Sequence, residues 1–508
     1  MNVRLAVAGV VAGVVSAAAA LLFSAAVDAF AAVYQGSTYV VWLLPFAGLA
    51  TLWLYYVLKI PFETGTKSVL ADIDENRHAP LQLALAIFVG TCLTIVAGGS
   101  VGKEAAALQM AAAISPAIGK LFGLRDPRSL RLLALCGMAS SLAVLLGTPF
   151  MAAVFVFELF RPRRETLRSI VIVLAATLLS ELIAYAISAD YLVFDVVMPS
   201  LSLGLVARVA ILVVLGALLG ALFCWLLEYG RSFVQSRTHP AVWLVAGGVV
   251  YAALVTLLGC YDVAGTGMSQ NTASLSGAMT EPFFALKLLL TALLLSCGYK
   301  GGEIMPTLCI GATLGCFLGY MSGGDAAFLA ALGMVVLFSA CTNCPLAAVL
   351  LGVEAFGVDG ILWYVLASGL AYGLTSHVSL YGNIGIAREW PLLKRKREVA
   401  EEQRRRDEAA AAAMLAGGIE DENELPDDFE LVQPALAGED GEKLGGEAGG
   451  GAAERAGDGA GGEAGGGVGG GVGRGDGCEA AQGAGGGADR GDGGEVGELP
   501  TADDGGSL

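Results

Sequence analysis

The sequence predicts an all-α, polytopic membrane protein with inverted-topology repeats and broken half-helices. Three observations lead to this fold class. Long apolar runs recur along most of the chain, hydrophobic residues make up 55% of it, and two glycine-rich motifs recur in matching order with a Pro and a Glu. Charged residues are only 15% of the chain, whereas soluble domains carry roughly 25%. We therefore expect lipid to surround most of the folded chain.

Apolar runs of about 17 to 25 residues, enough to cross a bilayer, begin near the N-terminus and continue with more interruptions to Leu380. The clearest are residues 3–27, 40–58, 81–96, 170–187, 203–227 and 242–258. The first run is longer than the apolar core of a signal peptide, which has about 7 to 15 residues. We expect it to be a retained first helix.

Composition divides the chain into three regions. Residues 1–391 form the predicted transmembrane domain, residues 392–418 a basic juxtamembrane segment with helix-forming residues, and residues 419–508 an acidic Gly- and Ala-rich tail predicted to be disordered. Most of the net charge of −17 comes from this tail, and nucleic acid is not expected as a partner. Basic residues directly after the last apolar run predict a cytoplasmic C-terminus at the cell membrane, with Arg161, Arg163, Arg164 and Arg168 on the same side.

An internal repeat relates the two halves of the membrane domain. The motif GGSVGKEAAALQM around Glu104 corresponds to GGEIMPTLCIGATLG from Gly301, and in each half a Pro precedes a Glu by nine residues. These are Pro149 with Glu158 and Pro345 with Glu354. Paired, glycine-interrupted segments of this kind indicate a transporter with a site at the repeat interface. For Glu158 and Glu354 we favour a helix-end carboxylate over a direct role in transport.

A helix that starts midway through the bilayer exposes unpaired backbone N–H groups, and these form an anion site together with the helix dipole. The glycine clusters before Glu104 and around Gly302 predict two such helix starts. The apolar stretches that follow are interrupted by Pro116 and Pro306, which favours half-helices buried in protein.

An ionisable residue at membrane depth indicates a functional site. Glu104 stands at one predicted helix start, where its carboxylate would act as a protonatable mimic of the transported anion. Lys103 would pair with Glu104 or face a water-filled vestibule. Glu303 stands at the other start, where it would serve transport or cap the helix.

These motifs resemble those of the CLC family of chloride channels and proton-coupled anion antiporters. GKEAA resembles the gating motif of the family, GYKGGEIMP resembles its GGxFxP loop, and Tyr381 in SLYGN is similar to the tyrosine that closes the inner end of the pathway. The resemblance covers about residues 67–381. It implies a CLC-type transport domain that is gated by Glu104, forms a homodimer in the bilayer and moves chloride or fluoride, with or without protons.

The GGS, GKE and LQM elements, with the Glu of GGE, look most like the bacterial branch that includes fluoride/proton antiporters. There the second glutamate serves ion or proton movement, which would fall on Glu303. The resemblance and the helix starts together predict anion binding by Gly102, Ser68, Gly302, Ile304 and Tyr381.

Three departures leave alternatives open. Ala105 and Ala106 replace the usual Gly with Pro or Thr, and the first ion-binding loop is GTKSVL, where Ser68 would donate a hydroxyl or Lys67 a vestibule charge. Leu159 replaces the inner proton-transfer glutamate of many exchangers. Both a passive channel and a proton path through Glu303 remain possible, as does a dedicated fluoride exporter.

Two other function classes are less well supported. A sensor or assembly protein would have kept the fold and lost transport. An intramembrane enzyme would need a nucleophile or metal ligands near Glu104 and Glu303, and the histidines His78, His239 and His377 fit no ligand spacing. No enzyme activity, cofactor or metal is predicted.

Overall fold

The structure is a computed structural model that describes residues 3–160, 167–187, 194, 196–235 and 239–382, all within one compact unit. The predicted juxtamembrane segment 392–418, the tail 419–508, the end of the membrane domain at 383–391 and Arg161, Arg163 and Arg164 lie outside the described residues. Within the described part the fold is all-α, as predicted, and its only strand-like feature is one isolated antiparallel bridge.

Sixteen α-helices are described, and they form two series of eight with similar lengths. The first series is α1 (Val3–Gln35), α2 (Leu44–Val57), α3 (Thr66–Asp74), α4 (Gln82–Val96), α5 (Glu104–Leu121), α6 (Pro127–Leu146), α7 (Pro149–Leu159) and α8 (Leu167–Ala186). The second series is α9 (Leu203–Gln235), α10 (Pro240–Leu258), α11 (Met268–Leu275), α12 (Phe283–Ser296), α13 (Ile304–Met321), α14 (Ala326–Thr342), α15 (Pro345–Phe356) and α16 (Ile361–Thr375). Short 3₁₀ turns precede α2 and α16.

The lengths pair the two series member by member. Helices α1 and α9 each have 33 residues, α5 and α13 each have 18, and α7 and α15 have 11 and 12. Helices α1 and α9 also make similar contacts near their starts. The guanidinium of Arg4, at the start of α1, lies against Gly123 just after α5. Its counterpart Arg208, near the start of α9, pairs with Asp325 just after α13 at 2.9 Å. The internal repeat predicted from the motifs is therefore a repeat of the whole helical framework.

Eight helical segments in the described part are long and apolar enough to cross a membrane. The first of them is α1, which covers the first apolar run. Helices α6 and α13 are almost enclosed by protein, whereas α8 and α16 expose leucine and isoleucine side chains along one side. Exposed apolar side chains on a spanning helix are stable against lipid tails. The core of the fold is thus made by α5, α6, α13 and α14.

Local sequence explains where several helices begin and end. Pro127, Pro149 and Pro345 occupy first-turn positions, where a missing N–H leaves no bond unmade. Helix α6 ends at Gly147, which has a φ of 71°. The expected interruption at Pro116 does not occur, since α5 continues through it to Leu121. Pro306 lies in the first turn of α13, so it also leaves that helix intact.

Candidate functional site

The starts of α5 and α13 meet at the isolated bridge. The N–H of Gly102 donates to the carbonyl of Gly302, and the N–H of Gly302 donates to the carbonyl of Gly102, both at 2.7 Å. A Cβ at Gly102 would lie 2.9 Å from the Cβ of Met305, and a Cβ at Gly302 would lie 2.9 Å from the amide nitrogen of Ala105. Glycine is required at both positions because the two backbones approach so closely.

This bridge bears on two of the predicted anion ligands. The amides of Gly102 and Gly302 already donate to each other, so neither N–H points at an empty site. Anion binding by these two amides remains a prediction, and it would require the pair to open. Ile304, the first residue of α13, is buried directly after the bridge.

Glu104 is the first residue of α5 and has no exposed surface. Its Oε2 accepts a hydrogen bond from the backbone N–H of Lys103 at 3.1 Å. Its Oε1 has no hydrogen-bond partner among the described residues. The carboxylate therefore folds back onto the amide end of its own helix, which is where an anion would be stabilised by that end.

Lys103 points away from this carboxylate. Its ammonium nitrogen lies 2.6 Å from the hydroxyl of Ser24 and 3.0 Å from both carboxylate oxygens of Asp28, on α1. The Lys103 side chain is 8% exposed, whereas that of Asp28 is 62% exposed. The positive charge next to Glu104 is thus paired with an acid at the protein surface, an interaction that the sequence pattern did not indicate.

Glu303 stands directly before α13, makes no side-chain hydrogen bond to the first turn of that helix, and is connected to α5 by two polar side chains. The amide nitrogen of Gln109 donates to the Thr66 hydroxyl at 2.9 Å, and that hydroxyl donates to the Glu303 carboxylate at 3.4 Å. All three residues are buried. Since Gln109 lies on the same helix as Glu104, a hydrogen-bonded chain runs from α5 to Glu303. The sequence analysis included Gln109 in the LQM element and Thr66 in the GTKSVL loop but gave neither a role, because nothing in the sequence shows that they meet Glu303.

Ser68, the predicted anion-binding hydroxyl, has a local role. It accepts a hydrogen bond from the Gly65 amide and donates to the Gly65 carbonyl, both at 2.9 Å. Thr66, the first residue of α3, is the hydroxyl of this loop that faces Glu303. Anion binding by Ser68 stays a prediction, and both hydroxyl groups are in residues that line the same cavity.

Tyr381 is buried, and its hydroxyl has no hydrogen-bond partner among the described residues. Its ring packs edge-on against Phe155 with centroids 6.4 Å apart. The neighbouring Leu380 amide donates to the Cys341 carbonyl at 2.8 Å, which holds this segment at the end of α14. A donor without a partner in a buried position is compatible with the predicted ion contact, which stays a prediction.

A cavity of about 830 Å³ reaches Glu303 and Thr66 from one side of the protein. We call it the Glu303 cavity. Its other lining residues include Gln109, Lys67, Glu228 and Arg231. Glu303, Thr66 and Gln109 are all in its wall, so the hydrogen-bonded chain between the two repeats borders this cavity.

Glu158 and Glu354 each cap the start of the helix on which the other glutamate lies. The two carboxylate oxygens of Glu158, on α7, accept from the amides of Leu346 and Ala347 at 3.0 and 2.9 Å. Those of Glu354, on α15, accept from the amides of Phe150 and Met151 at 3.0 and 2.7 Å. Both glutamates therefore have the predicted helix-end role. Glu158 caps α15, and Glu354 caps α7, which is the repeat-related helix in each case.

Comparison with known proteins identifies this architecture. The family model described as voltage gated chloride channel matches residues 47–376, which span both glycine motifs, both caps and all of the second series of helices. The chain belongs to the voltage-gated chloride channel family. It is accordingly a multi-pass membrane protein of a family of anion channels and transporters, as the resemblance implied.

Curated relatives and solved structures agree with this family. A chloride/fluoride channel protein of Pseudomonas syringae pv. tomato is 29% identical over 387 residues, covering 74% of this chain and 85% of that protein. An H(+)/Cl(-) exchange transporter ClcA of Klebsiella pneumoniae is 26% identical over 343 residues, covering 62% and 72%. The crystal structure of a CLC-type fluoride/proton antiporter superposes with a TM-score of 0.70 at 25% identity, covering 74% of this chain and 96% of that one.

Proposed function

We propose that this CLC-family protein moves halide ions across the membrane, with fluoride preferred, in exchange for protons carried by Glu104 and Glu303. The observation that supports this most is the pair of buried glutamates at the starts of repeat-related helices, with one glutamate hydrogen-bonded through Thr66 to Gln109 on the other's helix. Two buried carboxyl groups on repeat-related helices give a proton two successive binding sites at membrane depth.

Relatives support the choice of ion. The P. syringae relative is described as a chloride/fluoride channel protein, and the superposed crystal structure is that of a fluoride/proton antiporter. Glu303 supports the proposed exchange with protons, because it provides a second carboxyl group at membrane depth.

The test is a proteoliposome assay that records fluoride, chloride and proton movement together. Fluoride efflux is expected to exceed chloride efflux and to be accompanied by proton uptake into the liposomes. Chloride efflux faster than fluoride efflux would contradict the choice of ion. Halide movement without proton movement would contradict coupling, and no halide flux from correctly folded protein would contradict transport.

A passive chloride channel is the second candidate. Leu159, which is 2% exposed, occupies the position of the inner proton-transfer glutamate found in many exchangers of the family. A leucine cannot carry a proton, so a channel without coupling is expected if Glu303 does not replace that route.

We further propose that the protein is a homodimer in the cell membrane, with the C-terminal tail and the face bearing Arg4 both on the cytoplasmic side. Arg4, Lys120 and Arg125 cluster around the start of α1 and the end of α5, as the positive-inside rule expects. Protease accessibility of the C-terminal tail in right-side-out vesicles tests this orientation, and chemical cross-linking in the membrane tests the dimer. Cleavage of the tail from outside would reverse the assignment.

A further inference from the structure

Three cationic side chains line the Glu303 cavity: Lys67, Arg231 and Lys300. The cavity also contains three acids, namely Glu63, Glu228 and Glu303. The formal charges of these six groups cancel. Whether the cavity attracts an anion therefore depends on which cations are already paired within it.

Lys67 and Lys300 are both engaged. Lys67 forms an ion pair with Glu228 at 2.7 Å. Lys300 donates to the carbonyls of Phe62 and Thr64, and its ammonium lies 4.5 Å from the ring centre of Tyr55 and 4.2 Å from that of Phe62. Carbonyl oxygens and aromatic faces satisfy an ammonium group well. Neither lysine presents a free charge to an ion in the cavity.

Arg231 differs from both lysines. It is half-buried on α9 and makes no hydrogen bond or ion pair with any residue in the described part of the chain. It lies within electrostatic range of Glu303 and of Lys300. A guanidinium has five N–H donors and keeps its charge at all physiological pH values. No described residue occupies these donors, and Arg231 lines the cavity that reaches Glu303.

We propose that Arg231 is the residue that receives the anion in this cavity and passes it to the Thr66 and Glu303 end of the pathway. The inference rests on the proposed transport function and adds an ion-recruiting residue at one entrance. A positive charge in a cleft with low-dielectric walls raises the local concentration of anions and their rate of entry. The same residue increases affinity on one side of the membrane, because α9 presents it at that side alone.

Arg208 provides a matched control at the other end of the same helix. Its guanidinium is paired with Asp325 at 2.9 Å and donates to the Gly324 carbonyl at 3.2 Å. The two arginines thus share residue type and helix, while only Arg231 faces the Glu303 cavity.

The experiment measures halide flux in planar bilayers, with chloride or fluoride varied on one side at a time, for wild type, Arg231→Gln, Arg231→Lys and Arg208→Gln. Arg231→Gln is expected to raise the KM for the anion on one side by about ten-fold and to leave the maximal rate nearly unchanged. Arg231→Lys should restore much of the affinity. Arg208→Gln should leave the KM on the cavity side unchanged.

An unchanged KM in Arg231→Gln, or an equal increase on both sides, would overturn the role of Arg231. Size-exclusion profiles of the variants show whether each one folds. If Arg231→Gln does not fold, the KM of Arg231→Lys still tests the role of Arg231. Absence of flux in the wild type would instead contradict the proposed transport function, so the two failures are distinguishable.

Discussion

Gly102 and Gly302 exchange two backbone hydrogen bonds of 2.7 Å and so join the starts of the two half-helices. Two residues 200 positions apart in the sequence are thereby held as a minimal antiparallel pair at the repeat interface. Because Glu104 and Glu303 follow within two residues of this pair, its geometry also sets the positions of both carboxylates.

We expect Gly302→Ala to destabilise the protein by about 1–3 kcal/mol, the usual cost of overpacking a well-packed core. The added Cβ would lie 2.9 Å from the Ala105 amide nitrogen, and backbone atoms cannot move aside as a flexible side chain can. Thermal unfolding in detergent measures the change. Gly369→Ala on α16 is the control, since nothing lies within 4 Å of a Cβ there. Equal stability of the two variants would contradict the close approach.

Glu104→Gln should remove the pH dependence of halide flux and reduce coupled proton movement to background. Glutamine resembles the protonated carboxyl group in shape and cannot ionise, so it would hold the gate in its released state. Proteoliposome flux measured between pH 5 and 7.5 checks this. Glu281→Gln, at an exposed glutamate, is the control. A Glu104→Gln protein with wild-type pH dependence would rule out the gate assignment.

Thr66→Val should slow proton-coupled flux by about ten-fold, because a hydrogen bond to a charged group contributes about 1.5–3 kcal/mol. Valine keeps the shape of threonine and removes the hydroxyl that joins Gln109 to Glu303. Thr51→Val is the matched control, since the Thr51 hydroxyl donates only to a carbonyl of its own helix at 2.8 Å.

Ser68→Ala is expected to leave the coupled flux close to that of wild type, because the Ser68 hydroxyl is bonded within its own loop. A larger loss of flux in Ser68→Ala than in Thr66→Val would instead support Ser68 as the anion-binding hydroxyl of this loop.

Glu158→Gln and Glu354→Gln should each lower stability by about 1–2 kcal/mol, the range for loss of a helix cap. In each variant an amide NH₂ group replaces one of the two oxygens that accept from backbone N–H groups of the other repeat. Thermal unfolding and halide flux should be measured together. A variant that loses transport at unchanged stability would indicate a direct role in ion movement.

The local sequence was sufficient to place the long apolar helices α1, α2, α4, α8, α9 and α10 and the two glutamates. Helix α5 begins at Glu104, and α13 begins directly after Glu303, as the glycine clusters predicted. The nine-residue spacing from Pro to Glu in each half placed Glu158 and Glu354 toward the ends of the helices that Pro149 and Pro345 begin. These features depend on residues that are neighbours in the chain, which explains why a single sequence reveals them.

Contacts between distant segments were not predictable in the same way. The pairing of Lys103 with Asp28 joins α5 to α1, and the link from Gln109 to Glu303 depends on Thr66 in a third helix. Likewise, the sequence did not show that Lys67 and Lys300 are bonded within the cavity wall whereas Arg231 has no such partner among the described residues. Side-chain chemistry specifies what each residue can bond, but the fold decides which partner is within reach.

The sequence by itself determined the membrane class, the duplicated helical framework and the two carboxyl groups at helix starts, because apolar length, glycine and proline act locally. Only the tertiary structure decided that Gly102 bonds to Gly302, that each repeat caps the other through Glu158 and Glu354, and that the Thr66 hydroxyl faces Glu303. The physical reason is that hydrogen bonds form over about 3 Å, and chain distance does not determine which groups come that close.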